Sequence, residues 1–273
     1  MFVAYNNLSS LDLSSNINLK YLNCQNNELN NLILNSEYLI EIYCFENQLT
    51  NLDVSQAHLL TYLDCNFNNL FSLDVNQNEN LNFLIASGNN LSELNVSNNR
   101  DLTYLNVGEN NIISLDLSHN QNLISFLAPY NFPLDFLDIR NGNNANMNGI
   151  NVTGTNALKC VIVDDASASY LDDWYIDPFT TFVNNEAECD ALSVLSYERE
   201  QLLIYPNPSK STLTVSFSKP AEYAILDLNG KNLKTGKLNM GLSRIIIDEL
   251  STGLYFFKVK TDLGSITKKL IKQ

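Results

Sequence analysis

The sequence predicts a mainly β chain, an elongated solenoid of short strands followed by a small antiparallel β-sandwich. Leucines recur every three residues in interleaved runs over residues 1–141, and alternating apolar strands separated by Gly, Pro and Asn turns fill residues 200–273. Charge supplies a third observation. Residues 1–199 hold 5 Lys/Arg against 24 Asp/Glu, whereas residues 200–273 hold 11 against 6, so the sign changes at a domain boundary near residue 200.

The stretch LTYLDCNFNNLFSLDVNQN, residues 60–78, shows the unit. One phase opens at Leu19, Leu39, Leu60, Leu81, Leu102 and Leu123, and a second at Leu8, Leu29, Leu49, Leu70, Leu91 and Ile112, each recurring every 20 or 21 residues. Successive strand residues point to opposite faces, so Leu63 and Cys65 face inward while Tyr62 and Asp64 face out. Three positions beyond the second inward residue stand Asn27, Asn47, Asn68, Asn89, Asn110 and Asn131. Their amides are suited to satisfying turn backbone groups, and stacked coils turn them into an internal ladder. In the second phase the asparagine is expected to be lost at Glu37 and Ala57, and the pattern ends near Pro129 and Pro133. Cys24, Cys44 and Cys65 share one inward column with Ala86, Val107 and Ala128, and read as small buried hydrophobes rather than metal ligands.

This spacing resembles the leucine-rich repeat family, in particular the short bacterial class whose 21-residue unit nests two L-x-x-L-x-L-x-x-N motifs. The resemblance implies a leucine-rich repeat solenoid over residues 1–141. Met1, Val3, Asn6 and Leu8 fit an earlier half-repeat, so the chain is expected to begin inside a strand, with further coils and an export signal upstream. The opening MFVAYNNLSS has neither the basic start nor the apolar core of a secretory signal.

Residues 142–199 break the period and are assigned as the C-terminal cap of the solenoid. Repeat proteins of this class often end in a similar C-x-x-V-D … W … D … C segment. That resemblance implies that Trp174 covers the end of the leucine core and that Cys160 and Cys189 form a disulfide. Asp164, Asp165, Asp172, Asp173 and Asp177 lack the alternating acidic loop and glycine of a calcium site and read as solvated surface, so no metal is expected.

Within residues 200–273, the segments YPNP (Tyr205, Pro206, Asn207, Pro208), D-x-x-G-K (ending in Gly230 and Lys231), L-x-x-G-x-Y-x-x-K (holding Gly253 and Tyr255) and the closing KKLIK (Lys268 and Lys269 onward) occur in order. They resemble the type A C-terminal sorting domain of the type IX secretion system. The resemblance implies export through the outer membrane, with the secretion machinery as one partner and a secreted or outer-membrane surface location.

No catalytic residues and no cofactor are expected. The two histidines, His58 and His119, lie in coil turns without an evident nucleophile or acid partner, and no phosphate-binding glycine loop or H-E-x-x-H is present. The acidic body disfavours nucleic acid, and no apolar run is long enough for a transmembrane segment. Asp12, Asp53, Asp74, Asp116 and Asp138 recur along one outward column, as a surface stripe does. Tyr21, Tyr43, Tyr62, Phe83 and Tyr104 line the outward face of the first phase, whereas the second phase presents Asn31, Asn51, Ser72, Glu93 and Ser114. The sequence therefore predicts a monomeric interaction protein that binds a protein or glycan partner through its aromatic face. The alternatives are a structural or adhesin-like spacer without a ligand, or the anchor of a larger protein.

Overall fold

The computed structural model describes residues 1–198, 202–217, 219–228, 230–261 and 264–273. It divides into two compact units, Met1–Asp190 and Ala191–Gln273.

The first unit is a β-solenoid whose coils repeat every 20–24 residues and are lined inside by leucine. One strand from each coil joins a parallel sheet of seven, running through Tyr21–Asn23, Glu41–Tyr43, Tyr62–Asp64, Phe83–Ile85, Tyr104–Asn106, Ser125–Leu127 and Ile150–Asn151. Tyr21, Glu41, Tyr62, Phe83, Tyr104 and Ser125 are in register across it. An isolated bridge from Phe2 to Asn23 extends the pairing to the first residues. Strands of the second phase pair at the two ends of the solenoid. Ser10–Asp12 joins Asn31–Ile33, and Ser114–Asp116, Phe136–Asp138, Cys160–Ile162 and Thr181–Val183 form a sheet of four. In the coils between, residues 51–54, 72–75 and 93–96 keep the position without regular strand pairing. Both sheets thus continue beyond residue 141 into the segment that the sequence sets apart as a cap.

The leucines of both phases close into one core, with Leu63, Leu84, Leu105, Cys24, Cys44 and Cys65 all at 0–1% exposure or within that column's buried run. A single coil has no such interior, so its burial depends on its neighbours. Asparagines hold the turns. Asn68 donates through Nδ2 to the carbonyls of Cys44 (3.0 Å) and Cys65 (3.2 Å), and its Oδ1 accepts the Leu49 N–H at 2.9 Å, tying two coils together. Asn47, Asn89 and Asn110 repeat this pattern. Thr155 takes the corresponding place in a later coil, donating to the Val152 carbonyl at 2.7 Å.

The second-phase ladder requires a correction. Its missing asparagine lies at Ser36, not Glu37. Ser36 is 3% exposed and its hydroxyl donates to the carbonyls of Ile17 and Leu19, whereas Glu37 is exposed. A hydroxyl on a shorter side chain fills this place and bonds the Ile17 and Leu19 carbonyls, not the pair 24 and 21 residues back that Asn78 and Asn99 take, which the asparagine pattern does not reveal.

Trp174 is 6% exposed and packs against Tyr170 and Phe182 in the solenoid core. Cys160 and Cys189 are joined in a disulfide with Cα atoms 5.8 Å apart. Cys189 lies on the helix Glu186–Glu198, which opens on a reciprocal cap: Glu188 N–H donates to Asn185 Oδ1, and Glu188 Oε1 accepts from Asn185 Nδ2.

The second unit is a sandwich of two antiparallel sheets, one of Leu203–Tyr205, Thr212–Phe217 and Gly241–Ile246, the other of Asn232–Leu238, Ala221–Leu226, Gly253–Thr261 and Gly264–Lys272. Leu213, Val215 and Ile245 of the first meet Ile225, Phe257 and Val259 of the second in one buried core.

Candidate binding face and sorting motif

The parallel register places one outward side chain per coil at about the 4.8 Å spacing of adjacent strands, so rings at equivalent positions must stack. Tyr43 meets Tyr62 at 4.8 Å between ring centroids, Tyr62 meets Phe83 at 5.7 Å, and Phe83 meets Tyr104 at 5.8 Å. The structure therefore brings Tyr43, Tyr62, Phe83 and Tyr104 into one continuous row. Tyr21 stands at the same register one coil earlier, 45% exposed, but Glu41 intervenes between it and Tyr62. Beside the row runs an open trough of about 760 Å³, lined by Glu41, Tyr62, Asn82, Phe83, Asp101 and Thr103 among others.

Sequence reasoning missed Asp64. It faces outward, as the strand period requires, yet only 7% of it is exposed, because its sheet neighbours in the same column are Tyr43 and Ile85 and Tyr62 precedes it on the strand. Its Oδ1 accepts the Asn66 N–H at 3.2 Å, and no other hydrogen-bond donor reaches the carboxylate among the described residues. Burial outweighs that bond and pushes the carboxyl up to about 6. Burial also pushes the Tyr62 phenol up to about 12, with the charge of Asp64 adding to the effect. Glu41 accepts the Tyr43 hydroxyl at 3.2 Å, which holds a second carboxylate at the row. The only signal in the sequence was an acid flanked in its column by Tyr43 and Ile85.

The aspartate stripe has a local role. Asp12, Asp53, Asp74, Asp116 and Asp138 each accept, through Oδ1, the N–H two residues on. These are Asx turns repeated coil by coil. Asp138 departs from the exposed surface expected of it. It is 5% exposed and forms an ion pair with Arg140, because the coil that follows covers the column at that end. Asp164 accepts the backbone N–H groups of Gly142 and Asn144, and Asp177 those of Gly154 and Thr155. Among the described residues no group of three or more His, Cys, Asp or Glu is placed to hold a metal ion. His58 Nδ1 lies 3.4 Å from the Gln77 carbonyl and His119 Nδ1 lies 3.2 Å from Ser118 Oγ.

In the second unit, Asn207 clamps the last strand: its Nδ2 donates to the Lys269 carbonyl at 2.8 Å and its Oδ1 accepts the Ile271 N–H at 2.9 Å. Tyr205 ends the strand before it and Pro206 and Pro208 flank it, so YPNP and the closing lysine segment, 62 residues apart between Asn207 and Lys269, meet. Gly230, at φ +80°, and Lys231 form a turn closed on Asp227, whose Oδ1 accepts the Lys231 N–H at 2.9 Å. Gly253 opens a long strand, and Tyr255 donates its hydroxyl to the Ser251 carbonyl at 2.8 Å. Lys268 and Lys269 are exposed.

Residues 203–273 match the family of secretion system C-terminal sorting domains, and this segment is a type IX sorting domain. Comparison with curated proteins gave no significant match. Among solved structures, the chain is similar to a protein described as the functional domain of InlJ from Listeria monocytogenes, which includes a cysteine ladder. Identity is 20% and the TM-score 0.45, with 100% of this chain and 71% of that chain covered. The chain joins a β-solenoid with leucine-lined coils to a secretion system C-terminal sorting domain. No helix among the described residues is long and apolar enough to cross a membrane.

Proposed function

We propose that this is an exported interaction protein whose solenoid binds a protein or glycan partner through the row Tyr43, Tyr62, Phe83 and Tyr104, outside the cell or at its surface. The observation that carries the reading is the stacked row itself, partly exposed along one face of the parallel sheet. Aromatic side chains with polar neighbours are enriched in interfaces, and their faces also stack on sugars. Stacking between strands alone stabilises the sheet by up to about 1 kcal/mol per pair. That role does not require the exposure seen at Phe83, 39%. The sorting domain supports delivery of this face to the exterior through the type IX machinery.

The test is a panel of extracellular proteins and glycans probed with the wild-type protein and with Tyr62→Ala/Tyr104→Ala. The reading expects binding to a member of the panel that falls by about tenfold or more in the variant. Binding that is indifferent to both rings would contradict it.

A further inference from the structure

The aromatic row is also acidic. Among its strand residues, from Tyr21 to Leu127, stand Glu41 and Asp64 and no Lys or Arg, and Asp101 lines the trough beside it. Asp64 is the unusual member. A carboxylate removed from water needs pairing or several hydrogen bonds, and this one has a single backbone N–H. A cation would supply the pairing this carboxylate lacks. Ring faces alongside are suited to the same group, since a Lys or Arg head over an aromatic face is held by the ring quadrupole.

Resting on the reading of this face as a binding surface, we infer that its partner is a protein presenting an exposed basic segment, with a Lys or Arg head placed against Asp64 and Glu41 and its stem along Tyr62 and Phe83. A neutral glycan would hydrogen-bond Asp64 without neutralising its charge, and an anionic one would be repelled. Charge complementarity extends beyond the row, because the 5 Lys/Arg of residues 1–199 face 24 Asp/Glu.

The full chain would be titrated with a flexible Gly/Ser peptide carrying spaced lysines, and with the same peptide fully lysine-acetylated. Three variants accompany it: Glu41→Gln/Asp64→Asn at the face, Asp74→Asn/Asp116→Asn on the opposite column with the same change in net charge, and Phe83→Leu. The Asp64→Asn change retains the oxygen that accepts the Asn66 N–H, and Phe83→Leu retains apolar bulk while removing the ring. The inference expects binding that weakens about tenfold or more on acetylation and in the face variant, several-fold in Phe83→Leu, and little in the opposite-column variant. Equal weakening by both carboxamide pairs would reduce the effect to net charge and overturn the inference. Absence of binding to the lysine peptide would overturn it too. If Tyr62→Ala/Tyr104→Ala still abolishes binding to a neutral member of the panel above, the binding face stands and only the basic partner falls. If that variant also binds like wild type, both fall.

Discussion

At the scale of single residues, the two asparagine ladders look alike in sequence but differ in how fully they are bonded. Asn68 uses its oxygen and its nitrogen, whereas Asn78 donates to the Val54 and Ala57 carbonyls and leaves its buried Oδ1 without a partner. Replacing Asn68 with Ala strands the buried Leu49 N–H, at about 1–3 kcal/mol before relaxation, while the Cys44 and Cys65 carbonyls keep the amides of Asn47 and Asn89. Replacing Asn78 strands no backbone group, because the Val54 and Ala57 carbonyls keep the N–H groups of Ala57 and Leu60, and it removes an orphan acceptor. Asn68→Ala is therefore expected to cost more in urea denaturation than Asn78→Ala, by roughly 1–3 kcal/mol. Asp64 makes a second residue-scale prediction. Its folded carboxyl titrates at about 6, above the roughly 3.9 of an unfolded aspartate, so between those values the folded state holds a proton that the unfolded state has lost. Stability consequently falls as pH rises through that window, and the cost is fully present above it. Asp64→Asn is expected to be more stable than wild type at pH 8, by about 2–3 kcal/mol, and nearly equal to it at pH 3. Equal stability at both pH values would show that the carboxylate is not desolvated. Such a cost, kept at the centre of a candidate binding face, fits a residue retained for recognition rather than folding.

At the scale of elements, the first-phase turn of each coil up to residue 155 passes through a residue at positive φ just before its ladder position: Tyr5, Asn26, Glu46, Phe67, Gly88, Glu109, Tyr130 and Gly154. Where Phe67 occupies this place its ring lies over Gly88 of the next coil, and a Cβ on Gly88 would stand 2.6 Å from Phe67 Cδ1. Tyr130 and Gly154 repeat the pairing. Gly88→Ala is expected to destabilise by about 1–3 kcal/mol through its backbone and this contact together. Adding Phe67→Ala should recover the steric part only, which a double-mutant cycle in denaturant would read. The repeat itself was legible because strand period and leucine spacing are written in the same residues. The strands Ile150–Asn151 and Cys160–Ile162 were not legible, since longer turns place them 24 residues after their sheet partners and break the 21-residue spacing, and Thr181–Val183, which resumes it, follows that break. The aromatic row was legible from its column. The burial of Asp64 was not, because outward orientation in a strand does not reveal how far large neighbours lean over a small one.

At the scale of the whole molecule, composition already separated an acidic repeat body from a basic sandwich, and the ordered motifs of the latter were sufficient to read it as a sorting domain. What lies in three dimensions alone is how those motifs meet: Asn207 of the entry segment holds the backbone of Lys269 and Ile271 in the final strand. Asn207→Ala is expected to loosen that strand, seen as faster amide exchange across residues 269–271, and to lower export. The most direct test of the account is intact-mass analysis of culture supernatant and washed outer membrane from a host with the type IX pathway, for the full chain and for one ending at residue 202. The account predicts an extracellular or surface-bound species from the full chain and retention inside the cell of the shortened one. Export that is indifferent to residues 203–273 would contradict it.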